Sequence, residues 1–113
     1  MTTLKTIFIL LFTVNFIFAG DTPQVIKIKT SAVCGMCKRK IEKNLAYEKG
    51  IEDVNLDIPS KILTVSYNPK KTNSATIKKI VNNTGYDADE MAATPEAYEK
   101  LSSCCKKELP VHN

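Results

Sequence analysis

The residues best suited to chemistry in this chain are Cys34 and Cys37, set in the stretch Ser31-Ala32-Val33-Cys34-Gly35-Met36-Cys37-Lys38-Arg39-Lys40. A run of strand character precedes them and a run of helix character follows, so the pair falls where a loop enters the first turn of a helix. There the unpartnered backbone N–H groups and the positive end of the helix dipole favour thiolate over thiol. Two thiolates aimed at one point suit a soft metal ion, while the same pair would also serve as a redox dithiol or a structural disulfide. Cys104, Cys105 and His112 add soft donors near the C-terminus and are further candidate ligands, for the same ion or for a second site. Successive side chains on a regular helix diverge by about 100°, so Cys104 and Cys105 could share one ion only where the helix frays.

The elements that must position these thiols are legible from periodicity. Gln24 to Thr30 alternates apolar with polar from Ile26 onward, which predicts a half-buried strand with Ile26, Ile28 and Thr30 on one face. From Cys37 the period changes to four, through Ile41 and Leu45, which predicts an amphipathic helix ended near Gly50. Val54, Leu56 and Ile58 share one face of the next segment, and Leu63, Val65 and Tyr67 one face of the segment after it. Pro59-Ser60-Lys61 between them predicts an antiparallel hairpin. Thr72-Asn73-Ser74 holds N-cap candidates for a second helix carrying Ile77, Ile80 and Val81 and ending before Gly85. Tyr86 to Ala92 is a weak candidate for a last strand. Thr94-Pro95-Glu96 opens a third helix running through Tyr98 and Leu101 toward Cys104-Cys105. Strand, helix, strand, strand, helix and a weak strand make an α+β, ferredoxin-like βαββαβ sandwich, an antiparallel sheet covered by two helices, with an extra C-terminal helix or tail.

Composition narrows the function classes. A chain of 113 residues with a formal net charge of +4 holds one small domain, and its charge excess is too slight to argue for nucleic acid. The only basic run, Lys38-Arg39-Lys40, reads as a solvated helix face, with some capacity to lower the thiol pKa beside it. Asp87, Asp89 and Glu90 lack the Gly and terminal Glu of a calcium loop and read as solvated acids. Lys5, the apolar run Ile7 to Phe18 and the small pair Ala19-Gly20 have the three-part layout of a signal peptide. The expected division is therefore a leader at 1–19, a core domain at 23–93 and a cysteine-bearing tail at 94–113. The expected location is periplasmic or otherwise exported.

Cys34-Gly35-Met36-Cys37, Ile41 and Leu45 after it, the strand pair through Val54 and Tyr67 with Asn68-Pro69, and Gly85-Tyr86 together resemble the heavy-metal-associated domain family of copper chaperones, copper-ATPase N-terminal domains and the periplasmic mercury-binding protein. The resemblance covers about Gln24 to Met91. It implies one copper(I) or mercury(II) ion held by Cys34 and Cys37 in near-linear geometry, with zinc a weaker fit, and transfer by thiolate exchange to a metal-transporting membrane protein or another acceptor. It implies a screening role for Tyr86, and Met36 between the ligands would cover some apolar surface. This chain departs from the family in having Ser31-Ala32-Val33 where Gly-Met-Thr is common, and in carrying Cys104, Cys105 and His112 beyond the family's usual end. The expected state is a monomer, or a dimer linked through metal at the tail. The rival reading is a thiol-disulfide oxidoreductase with Cys34 as nucleophile and Cys37 as resolving thiol. The chain has no Trp, which such enzymes usually place beside the motif, and its order of elements differs from theirs.

Overall fold

The computed structural model describes residues 22–106; the expected leader and His112 lie outside the described residues. Three strands, β1 (Gln24–Lys29), β2 (Ile51–Asp57) and β3 (Ile62–Tyr67), form an antiparallel sheet in the order β1-β3-β2. Helices α1 (Gly35–Ala46) and α2 (Ser74–Thr84) pack against each other, and α1 also packs on β2. A short α3 (Pro95–Glu99) and a 3-10 turn at Ser103–Cys105 follow.

Each element forms for a local reason. The inward residues of β3 are Leu63, Val65 and Tyr67, all buried, with Ile28 of β1 opposite Leu63 and Leu56 of β2 opposite the same residue on the other side. The apolar stripe of α1 is Cys37, Ile41 and Leu45, each fully buried, so the second cysteine of the motif belongs to the core as well as to the loop. Asn73 caps α2 by accepting the Thr76 N–H at 2.8 Å. Gly85 ends α2 at φ +115°, a left-handed conformation that costs glycine little. The hairpin turns through Lys61 at φ 64°, held by the Asp57 carboxylate, which accepts from the Ser60 N–H (3.1 Å) and hydroxyl (2.6 Å).

The weak last strand is reduced to single bridges. Ala88 pairs with Thr30 beside β1, the edge where a ferredoxin-like fourth strand belongs, and with Met91 across its own turn. Asp89 explains why pairing stops there. It sits at φ 53°, and its carboxylate accepts the Lys29 N–H at 2.9 Å while its own N–H donates to the Lys29 carbonyl at 2.8 Å. Lys78 joins Asp89 at 3.2 Å and Glu90 at 3.6 Å, and both acids stay exposed, as their sequence suggests.

The third helix is shorter than its periodicity suggests. It ends at Glu99, and Cys104 and Cys105 lie on the separate 3-10 turn. Tyr98 packs against the core, and Leu101 and Cys105 are buried within it.

Candidate metal centre

The loop from β1 to α1 is tied down before it reaches the cysteines. The Thr30 N–H and hydroxyl both donate to the Lys61 carbonyl (2.9 and 3.0 Å), and Thr30 Oγ1 accepts the Ala32 N–H at 3.2 Å. Ala32 is fully buried, and Ser31 Oγ accepts the Asp87 N–H at 2.9 Å. Ser31, Ala32 and Thr30 thus join the loop to the hairpin turn and to the segment after α2. Sequence reasoning missed Thr30 and Ser31 as loop supports, since a hydroxyl in a strand end or loop carries no signal until its partner is known.

Cys34 is the N-cap of α1 at φ −155°, ψ 173°, and its carbonyl accepts the Lys38 N–H at 3.1 Å. Its sulfur lies 3.4 Å from that of Cys37. No standard capping hydrogen bond reaches the Cys34 side chain. The Cys37 N–H nevertheless stands near enough to be the main cause that lowers its pKa from 9.0 to about 7. Burial opposes the shift, and the Cys37 thiol, the Met36 N–H and the Cys105 thiol assist it. The helix terminus therefore favours the thiolate, as its position in the sequence suggests. The basic run does not: Lys38 Nζ is turned to Glu42 (2.8 Å), the Leu56 carbonyl (2.9 Å) and Asn55 (3.4 Å), which fastens α1 to β2.

Of the remaining candidates, Cys104 and Cys105 are brought to the motif. Cys105 Sγ is 3.9 Å from Cys34 Sγ and 4.0 Å from Cys104 Sγ, and the sulfurs of Cys34, Cys104 and Cys105 all lie within 4.8 Å of one another. The Cys104 carbonyl stands 3.9 Å from the Cys34 sulfur. Cys105 is 1% exposed, and burial pushes its thiol up to about 12; Cys104 is exposed. Tyr86 lies beneath the cluster, 0% exposed, and its hydroxyl makes no well-aligned hydrogen bond. Burial first, then the neighbouring Cys37 and Cys105 thiols, raise its pKa well above the usual tyrosine range. Met36 lies in the first turn of α1 and is 42% exposed.

A profile of the heavy-metal-associated domain matches residues 21–87. The chain belongs to the heavy-metal-associated domain family. A probable copper-exporting P-type ATPase of Archaeoglobus fulgidus is 29% identical over 79 residues, 69% of this chain and 10% of that protein, so the chain spans about a tenth of the length of that curated relative. The N-terminal domain of a potential copper-translocating P-type ATPase from Bacillus subtilis, solved in its Cu(I)-loaded state, superposes with a TM-score of 0.58 at 25% identity, over 60% of this chain and 86% of that domain. The CopZ metallochaperone superposes at 0.56 with 21% identity, over 57% of this chain and 98% of its own. Within this heavy-metal-associated domain Cys34 and Cys37 fall inside the matched residues, and Cys104 and Cys105 fall beyond them.

Proposed function

We propose that this protein binds one soft metal ion, copper(I) foremost, through Cys34 and Cys37, and sequesters it or delivers it to a metal-transporting membrane protein by thiolate exchange. One observation carries this reading: two sulfurs 3.4 Å apart at the N-terminus of α1, one of them inclined to the thiolate near neutral pH, in a chain of the heavy-metal-associated domain family. Soft thiolates select soft d10 ions over hard ones, and ligands on a helix terminus leave the ion within reach of an acceptor's own thiolates. The copper-ATPase relatives support copper(I) over mercury(II) and support a transporter as acceptor. Titration of the reduced protein with copper(I) under a competing chelator should reach one tight equivalent, and Cys34→Ser with Cys37→Ser should abolish it. Equal binding by that double variant would sink the assignment, and a marked preference for mercury(II) in the same titration would reassign the ion.

The layout of Lys5, Ile7 to Phe18 and Ala19-Gly20 supports export with cleavage after Ala19. Among the described residues no helix is long and apolar enough to cross a membrane. The mass of the protein recovered from the extracytoplasmic fraction would report the cleavage, and recovery only of the full-length chain from cytosol would refute it.

The acidity of Cys34 beside Cys37 also suits thiol-disulfide exchange. Insulin reduction at catalytic protein concentration separates the two readings, since a metal carrier gives no turnover.

A further inference from the structure

The segment beyond the matched residues is built into the fold. An added Cβ on Gly85 would stand 2.8 Å from Leu101 Cδ2 and 3.0 Å from the Ala97 carbonyl oxygen, so α3 and the residue after it approach the end of α2 as closely as a glycine allows. The Thr94 N–H donates to the Asn82 carbonyl (3.1 Å) and the Thr94 hydroxyl bonds the Asn83 side chain (2.8 Å). Leu101, 5% exposed, anchors the chain again before the 3-10 turn. These contacts place two further thiols against Cys34.

The spacing of the sulfurs is informative. With metal–thiolate bonds of about 2.3 Å, two sulfurs stand about 4.6 Å apart across a linear ion, about 4.0 Å apart around a trigonal one and about 3.8 Å around a tetrahedral one. The separations of 3.9 Å for Cys34 to Cys105 and 4.0 Å for Cys104 to Cys105 match the trigonal or tetrahedral spacing, and the third edge, Cys34 to Cys104, lies within 4.8 Å. A second observation points to a ligand at the same place. The fully buried Tyr86 hydroxyl makes no well-aligned hydrogen bond but stands within reach of the Cys37 and Cys105 sulfurs, and a thiolate there gives a buried donor a stronger acceptor than a thiol does.

We propose that Cys104 and Cys105 complete with Cys34 a three-thiolate site for a soft d10 ion, copper(I) in particular, which shares Cys34 with the Cys34/Cys37 pair and closes over an ion captured there. This rests on the reading that the protein binds a soft ion at Cys34 and Cys37. Closure is ligand exchange: the bonds from copper to Cys104 and Cys105 form, each entering thiol releasing its proton to water, while the bond to Cys37 breaks and that sulfur takes up a proton. Copper remains +1 and no electron moves. An ion so held is not open to an acceptor until a tail sulfur is displaced, so the tail makes the protein a holder that releases on contact, not a freely exchanging shuttle.

X-ray absorption at the copper edge on the reduced, full chain with one equivalent of copper(I) tests this. Three sulfur neighbours are expected in the wild type and in Cys37→Ser, and two in Cys104→Ser/Cys105→Ser. Because Cys105 is buried, Cys104→Ser alone, at an exposed thiol, is the variant least able to disturb the fold, and it should also lower the count. Loss of copper to a competing chelator should rise about tenfold or more in the tail variants. A count of two in the wild type, a count of three that survives the tail substitutions, or a third sulfur found only in a dimer by size exclusion overturns the proposal. Each of those outcomes leaves binding at Cys34 and Cys37 standing, whereas loss of that reading itself shows as unchanged binding in Cys34→Ser/Cys37→Ser.

Discussion

Cys105 Sγ lies 3.9 Å from Cys34 Sγ although 71 residues separate them along the chain. The contact joins the 3-10 turn at Ser103–Cys105 to the loop between β1 and α1. It depends on α3 and Leu101 lying against the glycine that ends α2.

Gly85→Ala should loosen this arrangement at its root. The position is left-handed and an added methyl would meet Leu101 and the Ala97 carbonyl, so strain and clash act together. A loss of about 1–3 kcal/mol in urea unfolding is expected, with Cys105 becoming reactive toward a thiol reagent. Unchanged stability and an unreactive Cys105 would show that the docking of α3 does not need the glycine.

Tyr86→Phe removes a buried hydroxyl that makes no well-aligned hydrogen bond and has only the Cys37 and Cys105 sulfurs within reach among the described residues. Such a group costs about 1–3 kcal/mol, so the metal-free variant should be no less stable than the wild type and more stable by up to that amount. With copper bound the advantage should shrink or reverse, because the hydroxyl then has thiolates to serve. Thermal unfolding of both proteins, with and without copper(I), reads the difference.

Ser31→Ala deletes the acceptor for the Asp87 N–H. A loss of about 1 kcal/mol is expected, together with faster amide exchange at Asp87. Exchange at Asp87 matching the wild type would remove Ser31 from the loop's supports.

The stability of the reduced, metal-free chain should have two limbs in pH. Cys34 has its folded pKa lowered from 9.0 to about 7, so between those values the unfolded chain holds more protons and stability rises with pH; the contribution is complete above pH 9 and lost as pH falls through 7. Cys105 is raised from 9.0 to about 12, so its contribution is complete below pH 9 and lost as pH climbs toward 12. Denaturant midpoints across that range should rise and then fall. Cys34→Ser should flatten the lower limb, and alkylation of Cys34 should have its midpoint near pH 7.

Much of this was legible in the amino-acid sequence because it is local. Period-two alternation in Ile26 to Thr30 and in Leu63 to Tyr67, period four through Cys37, Ile41 and Leu45, and Asn73 and Gly85 as caps each report a backbone conformation that nearby residues select for themselves. The position of Cys34 and Cys37 at a helix start was readable for the same reason, and with it the tendency of Cys34 toward thiolate. What depended on partners distant in the chain was not readable. The last strand fails because Asp89 takes the hydrogen bonds of Lys29, and a carboxylate acting in place of a strand has no sequence period. Thr30 and Ser31 became loop supports only when Lys61 and Asp87 arrived beside them. Above all, α3 stops at Glu99, so Cys104 and Cys105 follow the packing of Leu101 on Gly85 instead of a helical period. Local pattern thus determined the Cys34/Cys37 pair, while tertiary packing decided which other sulfurs it meets.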